Sequence, residues 1–363
     1  MSAYISRVQQ EILEAESHAD SVCAELDRRV DSIYLGGGTP TTLAPDQLRD
    51  LFQNVERVFD VQPGTETTVE CAPGTLAPEI LEVLLEGGTN RVSIGTQSFV
   101  NEEISSVGRL HTAQQTLADI KLLRASGIAN VNVDLIAGLP HQTRESWRRS
   151  LDGLAEVSVP HASIYILEVD EDSRLGRELI AGGSRYHAHH IPDSDLSADL
   201  YLEAIEFLEA AGMAQYEISN FARPNFESKH NLKYWTRQPY LGFGLDAHSM
   251  LCAKHPSSAL ECIRFSNGDE LGVYTAGGSE SSLTRVTQHE AMEESMFLGL
   301  RLNRGIDVAT LNAQILQDFE SEIHELVTLD LIDRADGCLR LTSRGRLLSN
   351  EVFERFIGSE NVA

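Results

Sequence analysis

The sequence predicts an α/β protein in which one large, mainly parallel sheet is followed by a small, mostly helical domain. Over the first two thirds of the chain, short β-rich runs alternate with longer amphipathic helices, which is the pattern of parallel βα units. The 363 residues, 42% of them hydrophobic, suffice for one barrel-sized core and a smaller appendage. Periodicity does not separate a doubly wound open sheet from a barrel, and both bind ligands at the carboxyl ends of their strands.

Five β-rich runs are the predicted strands of this sheet. They lie at 32–36, 66–71, 91–97, 130–136 and 162–169. The helical stretches between and after them begin at proline, threonine or an acidic residue, which suits a helix start. These stretches lie at 45–59, 78–86, 112–126, 143–154 and 193–211, the last preceding a further segment at 215–220.

The C-terminal part predicts a separate small domain. The composition turns to Gly, Ser and acidic residues at 268–283, which indicates a linker between a first domain at 1–267 and a second at 284–363. The second domain is predicted to be helical at 284–302, 308–331 and 343–356, with a strand at 338–342. This order resembles a winged-helix module, which we expect to serve as a packing or partner domain.

Charge and composition exclude several classes of function. There are 29 Lys and Arg against 55 Asp and Glu, a formal net charge of -26, which argues against nucleic acid and anionic membrane surfaces as partners. No run approaches the roughly 20 apolar residues of a membrane span, and the first residues lack a signal-peptide core. The five scattered cysteines fit reduced thiols. We therefore expect a cytoplasmic protein.

The unusual residues collect where the predicted strands end. GGGTP at 36–40 follows the first strand, and Glu70, Gln97, Asp134 and Glu168 each lie at or just past a strand end, which indicates one shared site. Three glycines let backbone amides face a ligand without Cβ obstruction, although a tight turn that needs positive φ explains them equally well. The run is neither a P-loop nor a dinucleotide fingerprint.

The side chains at these strand ends suit a polar ligand. Glu70 could accept hydrogen bonds from ribose hydroxyls or from an ammonium group, or it could form an ion pair with Arg91 or Arg109. Gln97 and Arg109 bring an amide and a guanidinium that suit an adenosine and a carboxylate. Asp134 lies in an otherwise apolar strand, where a carboxylate is costly without a ligand or an ion-pair partner.

Together these segments carry a family resemblance. GGGTP at 36–40, ECAPGT at 70–75, NRVSIGTQSF at 90–99, GRLH at 108–111, DLIAGLP at 134–140, YEISNFA at 216–222, HNLKYW at 230–235 and LTSRG at 341–345 occur in this order. The set resembles the coproporphyrinogen-oxidase-like branch of the radical S-adenosylmethionine (SAM) proteins over nearly the whole chain. The resemblance implies a partial (β/α) TIM-type barrel with SAM bound across the strand ends, and a HemN-like C-terminal domain.

By motif position, the resemblance also implies residue roles. Gly37, Gly38 and Thr39 would hold the methionine amine of SAM, and Glu70 its amine or ribose. Gln97, Arg109 and Asp134 would contact the rest of the molecule. Ile166 and His248 would contact the adenosine.

One family feature is missing from the 363 residues. The family binds a [4Fe-4S] cluster through a CxxxCxxC loop after the first barrel strand, and such a cluster requires a triad of thiolates. This spacing does not occur in the sequence. We expect that the first strand and the cluster loop are encoded upstream of Met1; the alternative is a cluster-free member of the family.

The segment HNLKYW distinguishes between branches of the family. A histidine can ligate heme iron while aromatic rings cover the porphyrin, although the residues alone favour a packed loop with a satisfied histidine. The motif HNxxYW resembles that of the HemW-type heme chaperones. It implies His230 as the axial ligand and Asn231, Tyr234 and Trp235 as heme contacts.

The implied function is therefore a heme chaperone that delivers heme to acceptor apoproteins. The alternative is an oxygen-independent coproporphyrinogen III oxidase, a radical SAM enzyme of porphyrin biosynthesis that would need the missing cysteines. A cluster-free remnant that binds only partner proteins is a third interpretation. Whether the chain is an enzyme, and whether it forms a homodimer, are left open.

A second group of histidines is a candidate metal site. His187, His189 and His190 lie close together between Gly182-Gly183 and Pro192. Three imidazoles within four residues suit a transition metal, while the flanking glycines and proline fit an exposed loop without one.

Overall fold

The computed structural model describes residues 1–169, 174–181, 187–278 and 282–357, so part of the predicted linker (279–281) and Gly182, Gly183 and Tyr186 lie outside the described residues. The helices are α1 (Ser2–Ser21), α2 (Pro45–Val58), α3 (Pro78–Glu86), α4 (Asn101–Ser106), α5 (Ala113–Ala125), α6 (Arg144–Val157), α7 (Arg174–Ala181), α8 (Ser194–Ala210), α9 (Lys229–Trp235), α10 (Leu271–Thr275), α11 (Gln288–Leu300), α12 (Ala313–Asp318), α13 (Glu320–Thr328), α14 (Ser343–Leu347) and α15 (Ser349–Glu354). The strands are β1 (Arg29–Leu35), β2 (Asp60–Cys71), β3 (Arg91–Gln97), β4 (Asn130–Ala137), β5 (His161–Ile166), β6 (Ala214–Glu217), β7 (Asn220–Ala222), β8 (His248–Ser257), β9 (Leu260–Ser266), β10 (Ser282–Val286), β11 (Ile306–Asp307), β12 (Ile332–Ala335) and β13 (Cys338–Leu341).

The main sheet confirms the barrel-type prediction. Its seven strands run in the order β1-β2-β3-β4-β5-β7-β6. The neighbours from β2 to β5 pair in parallel, whereas β5 and β6 each pair with β7 in antiparallel fashion. The first five strands lie in chain order, without the reversal that creates the crevice of a doubly wound sheet. The sheet is a curled half-barrel.

The chain forms two compact units. The sheet unit comprises Ser32–Pro45 and Glu66–Ser228, and the terminal unit comprises Met1–Asp31, Asp46–Thr65 and Lys229–Ala363. Along the chain, the division falls within β1, after the first residue of α2, within β2 and between Ser228 and Lys229.

The sheet unit is held by apolar residues that alternate with polar ones along each strand. Val131, Val133 and Leu135 of β4 are fully buried, as are Val92 and Ile94 of β3. Burying each such side chain stabilises the fold by roughly 1.5–3 kcal/mol. The residues between them face the other side of the sheet, because successive side chains of a strand point to opposite faces. That second face carries the polar residues described below.

The predicted helix starts in this unit are confirmed by their capping. Thr112 and Thr143 each accept a hydrogen bond from the backbone three residues on, and Gln115 and Ser146 bond back in capping boxes. Helix α6 is fixed further by Trp147, whose buried indole donates to the Leu200 carbonyl at 2.8 Å. The helices α5, α6 and α8 thus begin within one residue of their predicted starts.

The terminal unit contains two small antiparallel sheets, ordered β10-β9-β8 and β11-β13-β12. An apolar cluster of Val8, Ile12 and Ala15 on α1 packs with Phe59 and Tyr274. The prediction of helix from 284 onward is wrong, because Thr284, Arg285 and Val286 pair with β9 and the helix begins at Gln288. Residues 271–275 of the predicted linker are helical.

None of the helices in the described ranges combines the length and the apolar composition that crossing a bilayer requires.

Candidate functional sites

The glycine turn after β1 is shaped by Glu70 of β2. Gly37 and Gly38 have φ of +74° and +154°, and a Cβ added to either would meet only open space. A Cβ on Gly36 would lie 2.7 Å from Glu70 Oε1, so the turn excludes a side chain there. The Gly37 amide and the Tyr34 hydroxyl, the latter at 2.9 Å, both donate to Glu70. The turn therefore presents open backbone beside a fixed carboxylate.

A row of polar side chains continues this site across the sheet. Asp134 accepts hydrogen bonds from Asn132 Nδ2 at 2.7 Å and from Ser93 Oγ at 3.2 Å, and it also bonds to Ser163. In the ladder, Glu70 pairs with Ser93, Ser93 with Asn132, and Asp134 with Ser163. The side chains of four adjacent strands therefore share one face, with carboxylates on two of them.

Burial makes both carboxylates unusual. Loss of solvent raises the pKa of Glu70 and the pKa of Asp134, and each shift is opposed by the hydrogen bonds that the carboxylate accepts. The negative charge of Asp134 also raises the pKa of Glu70, because the two carboxylates repel each other. A ligand with a positive charge on this face would relieve that repulsion.

Beneath this row lies a buried chain of hydrogen bonds. His161 Nδ1 donates to Asn132 Oδ1 at 2.6 Å, since that oxygen can only accept, and His161 Nε2 therefore accepts from the Tyr216 hydroxyl at 3.0 Å. Tyr216 in turn accepts from the Ser228 amide. Burial lowers the pKa of His161 well below its usual value, helped by the charge of the fully buried Arg91. The imidazole is thus a neutral structural bridge.

Gln97 and Ile166 of the predicted SAM site lie at the carboxyl ends of their strands. Gln97 ends β3 with φ of +66° and pairs with Leu135, while Ile166 ends β5 and pairs with Ala137. Arg109 is exposed in the loop after α4. The structure thus brings Glu70 of β2 against the turn that contains Gly37 and Gly38. Thr39 is the residue before the 3₁₀ turn Pro40–Thr42.

His248 belongs to the terminal unit. It begins β8 and is exposed, with its Nε2 3.8 Å from Asp246 Oδ1. Its role as an adenosine contact stays a prediction.

The charged and polar groups of this face fit SAM. SAM carries a sulfonium and an ammonium, which suit a face with two carboxylates, and a carboxylate, which suits an arginine. The open backbone at Gly37 and Gly38 is a cradle that a Cβ would narrow. These are properties of the residues present in this chain.

The cysteines do not fit a [4Fe-4S] cluster. Cys71 ends β2, and its thiol bonds to the Ala72 carbonyl at 3.4 Å and to Thr75 Oγ1 at 3.7 Å. Burial raises the pKa of Cys71 to about 11, which opposes the thiolate form that iron requires. The other four are Cys23, Cys252, Cys262 and Cys338, all in the terminal unit. A cluster needs a thiolate triad.

The HNLKYW segment forms most of helix α9 rather than the loop considered above. His230 and Tyr234 stand four residues apart, so they share one face of the helix. The Tyr234 hydroxyl lies 3.2 Å from His230 Nε2, and the two rings meet edge to face at 5.2 Å. Tyr240 stacks edge-on against Tyr234 at 4.6 Å. The half-buried imidazole thus borders an aromatic wall.

Trp235 lies at the end of the same helix. The Arg301 guanidinium stacks 4.2 Å from its ring centre. Its buried indole N–H meets no hydrogen-bond acceptor among the described residues. Asn231, one turn earlier, is half-buried and partnered. The structure therefore brings His230 and Tyr234 into contact and places Asn231 and Trp235 on the same short helix.

A buried ion pair fixes the end of α9. Arg237 Nε donates to Glu294 Oε2 and Arg237 Nη1 to Glu261 Oε1, both at 2.6 Å, while Nη2 reaches Cys262 Sγ at 3.1 Å. Arg237 and Glu294 are each about one-tenth exposed. Because Glu261 and Glu294 lie on β9 and α11, this arginine ties α9 to both elements.

Several residues of these sites were not predicted. Tyr34 has a signal in the sequence, since it stands two residues before Gly36 and therefore lies on the same side of the extended chain. Asn132 has the same signal relative to Asp134. Arg301 has none, because 66 residues separate it from Trp235 and only the fold unites them.

Comparison with known proteins identifies the family. Residues 10–154 match the Radical SAM superfamily and residues 286–348 match the HemN C-terminal domain. The heme chaperone HemW of Lactococcus lactis is 32% identical over 91% of this chain and 85% of its own length. That of Bacillus subtilis is 31% identical over 98% and 91%.

A solved structure supports the fold. Coproporphyrinogen III oxidase (HemN) from Escherichia coli superposes with a TM-score of 0.79 at 24% identity, covering 97% of this chain and 82% of that one. Because identities above 30% extend over most of both chains, the chain belongs to the HemW family of radical SAM proteins.

Proposed function

We propose that this chain binds heme on helix α9 and delivers it to heme-accepting apoproteins. The observation that carries the proposal is the arrangement of α9, where the His230 imidazole contacts Tyr234 and Tyr234 in turn packs against Tyr240. A histidine supplies an axial bond to heme iron, and aromatic rings cover the porphyrin. The relatives of the same family named heme chaperones support it.

The geometry suits reversible binding. In the structure His230 Nε2 is hydrogen-bonded to Tyr234, so iron would replace that bond and release of heme would restore it. Loss of this hydrogen bond reduces the net binding free energy that the axial bond to iron contributes. Because the Tyr234 hydroxyl can bond to His230 again when heme leaves, heme held on this helix can be released to another protein. A chaperone requires such release, whereas a resident cofactor stays bound.

SAM is proposed as the ligand of the strand-end face, with Gly37, Gly38, Thr39 and Glu70 around its amine. Gln97, Arg109, Asp134 and Ile166 are proposed for the remaining contacts. When bound, SAM would contribute a sulfonium-activated carbon. The residues of this chain bind and orient it, and no reaction step is assigned, because the cysteines present do not fit the cluster that would reduce it.

The alternative is coproporphyrinogen III oxidase activity. Its only support is the similarity of this fold to that of the HemN enzyme. One experiment separates the two functions. The purified chain is incubated with coproporphyrinogen III, SAM and a reductant, and is titrated in parallel with heme. We expect a saturable heme spectrum and no release of carbon dioxide. Decarboxylation with no stable heme binding would contradict the proposal.

Tyr234→Phe tests the exchange of bonds at His230. The variant keeps the ring that covers the porphyrin but removes the hydroxyl that competes for Nε2. A hydrogen bond of this kind contributes about 0.5–1.5 kcal/mol, so heme should bind about two- to tenfold more tightly. Tyr240→Phe, which leaves the His230 bond in place, is the control. Weaker heme binding by Tyr234→Phe than by the control would show that the hydroxyl supports the ligand.

Glu70→Gln and Asp134→Asn test the SAM assignment. Each variant preserves shape but removes a charge that faces the proposed cation, and a charge-assisted hydrogen bond contributes about 1.5–3 kcal/mol. SAM affinity, measured by calorimetry, should fall about 10- to 100-fold while the heme titration is unchanged. Glu82→Gln, on the exposed side of α3, is the control. Equal SAM affinity in all three variants would refute the site.

A further inference from the structure

Three histidines of the sheet unit converge outside both sites described above. One ring nitrogen from each of His141, His187 and His190 lies within 4.8 Å of the other two. The rings of His141 and His190 stack at 4.2 Å, and His187 meets His141 edge-on at 4.9 Å. The cluster differs from the predicted one, because His141 takes part and His189 does not.

Backbone hydrogen bonds hold the three residues together. The His141 amide donates to the His190 carbonyl at 2.9 Å, and the His190 amide donates to the His187 carbonyl at 2.8 Å. His141 and His187 have left-handed φ of +68° and +56°. That conformation is uncommon for residues other than glycine, and such strain tends to be retained at ligand sites. The backbone thus sets the imidazoles side by side before any ion arrives.

A buried carboxylate anchors the turn that carries His141. Gln142 Nε2 donates to Glu103 Oε2 at 3.2 Å and to the Ile136 carbonyl at 3.1 Å, and its Oε1 accepts from the Gly138 amide. Glu103 is only 1% exposed and also accepts from Ser98 Oγ at 2.6 Å. The turn after β4 is therefore rigid, while His187 and His190 are exposed.

We propose that His141, His187 and His190 bind one divalent transition-metal ion, with Zn²⁺ the best match. Neutral imidazoles are preferred ligands of Zn²⁺, and three of them leave a fourth tetrahedral position for water or another ligand. At Zn–N distances of about 2.0–2.1 Å the nitrogens would lie about 3.3 Å apart, a contraction that side-chain rotation can supply. The negative charges of Glu102 and Glu103 act on His141 and favour a cation.

The ion would join two segments of the sheet unit. One is the turn at 138–143, which follows the strand that carries Asp134, and the other is the 3₁₀ turn Ala188–His190, which leads to the Asp193 cap of α8. The backbone hydrogen bond between the His141 amide and the His190 carbonyl already links these two segments. A metal at this point would fix the segment that enters α8.

A Zn²⁺ titration by calorimetry tests the site on the full chain. The wild type should bind one equivalent that each of His141→Ala, His187→Ala and His190→Ala loses. His189→Ala, which removes an exposed imidazole from the same turn, should retain it. Circular dichroism checks that each variant is folded. Equal stoichiometry and affinity in all four variants and the wild type would overturn the proposal.

Cobalt separates this site from the cysteines. Co²⁺ in place of Zn²⁺ should give the visible bands of a tetrahedral nitrogen and oxygen site without a thiolate-to-cobalt charge-transfer band. Such a band, retained in the three histidine variants, would show that the ion binds thiols and would also overturn the proposal. Heme titration in the presence of saturating Zn²⁺ should be unchanged, so this result is independent of the assignment of α9.

Discussion

His230→Ala should abolish the low-spin Soret band of the heme complex. The imidazole is the only axial group that we assign to heme iron, and its ring stands against Tyr234 at the face where the porphyrin would bind. We expect heme affinity to fall about 100-fold, equivalent to about 2.7 kcal/mol. Absorbance titration with heme measures both effects.

Two further variants make this result specific. Trp235→Ala removes an aromatic contact that contributes about 0.5–1.5 kcal/mol, so its affinity should fall only about two- to tenfold with the low-spin band intact. His255→Ala removes an exposed histidine of β8 in the same unit and should match the wild type. If His230→Ala keeps the wild-type spectrum and affinity, the assignment is wrong and the cluster around His187 becomes the next candidate.

Arg237→Ala should destabilise the terminal unit by about 3 kcal/mol, because it removes two charge-assisted hydrogen bonds and leaves the buried Glu294 with less compensation of its charge. Among the described residues, Glu294 would keep its ion pair with Arg264, 2.7 Å away, and Glu261 would lose the bond to Arg237. Chemical denaturation measures the free energy of unfolding. Since Arg237 anchors the end of α9, heme affinity should fall in the same variant.

The control is a matched arginine on the surface. Arg355 pairs with Glu325 at 3.5 Å, with both side chains about half exposed, and such pairs contribute about 0–1 kcal/mol. Arg355→Ala should therefore remain close to the wild type. A loss of stability no greater in Arg237→Ala than in Arg355→Ala would show that the buried network does not hold α9.

Local patterns made the parallel sheet predictable from the sequence. The run from Asn130 to Ala137 alternates apolar and polar residues, so Asn132 and Asp134 had to share a face. The helix caps at Thr112 and Thr143 are each followed three residues later by a side chain, Gln115 or Ser146, that completes a capping box. The same alternation placed Glu70 beside the glycine turn. These features depend on residues a few positions apart.

Long-range pairing was not predictable in the same way. The strand His248–Ser257 is polar at both its beginning and its end, so its antiparallel sheet gave no alternating signal. The bond between Arg237 and Glu294 joins residues 57 positions apart. His141 was not selected as a ligand, because a single histidine after Pro140 has no partner until the fold brings His187 and His190 beside it.

Transfer of heme to an acceptor tests the central claim most directly. The chain is loaded with one equivalent of heme, freed of excess, and mixed with an apoprotein of higher heme affinity while the Soret band is followed. We predict that heme moves quantitatively to the acceptor with its porphyrin unaltered, and that His230→Ala, which holds little heme, transfers correspondingly little. If wild-type chain retained no heme after removal of the excess, or if His230→Ala carried and delivered as much as the wild type, the account of α9 as a heme-delivering helix would be contradicted.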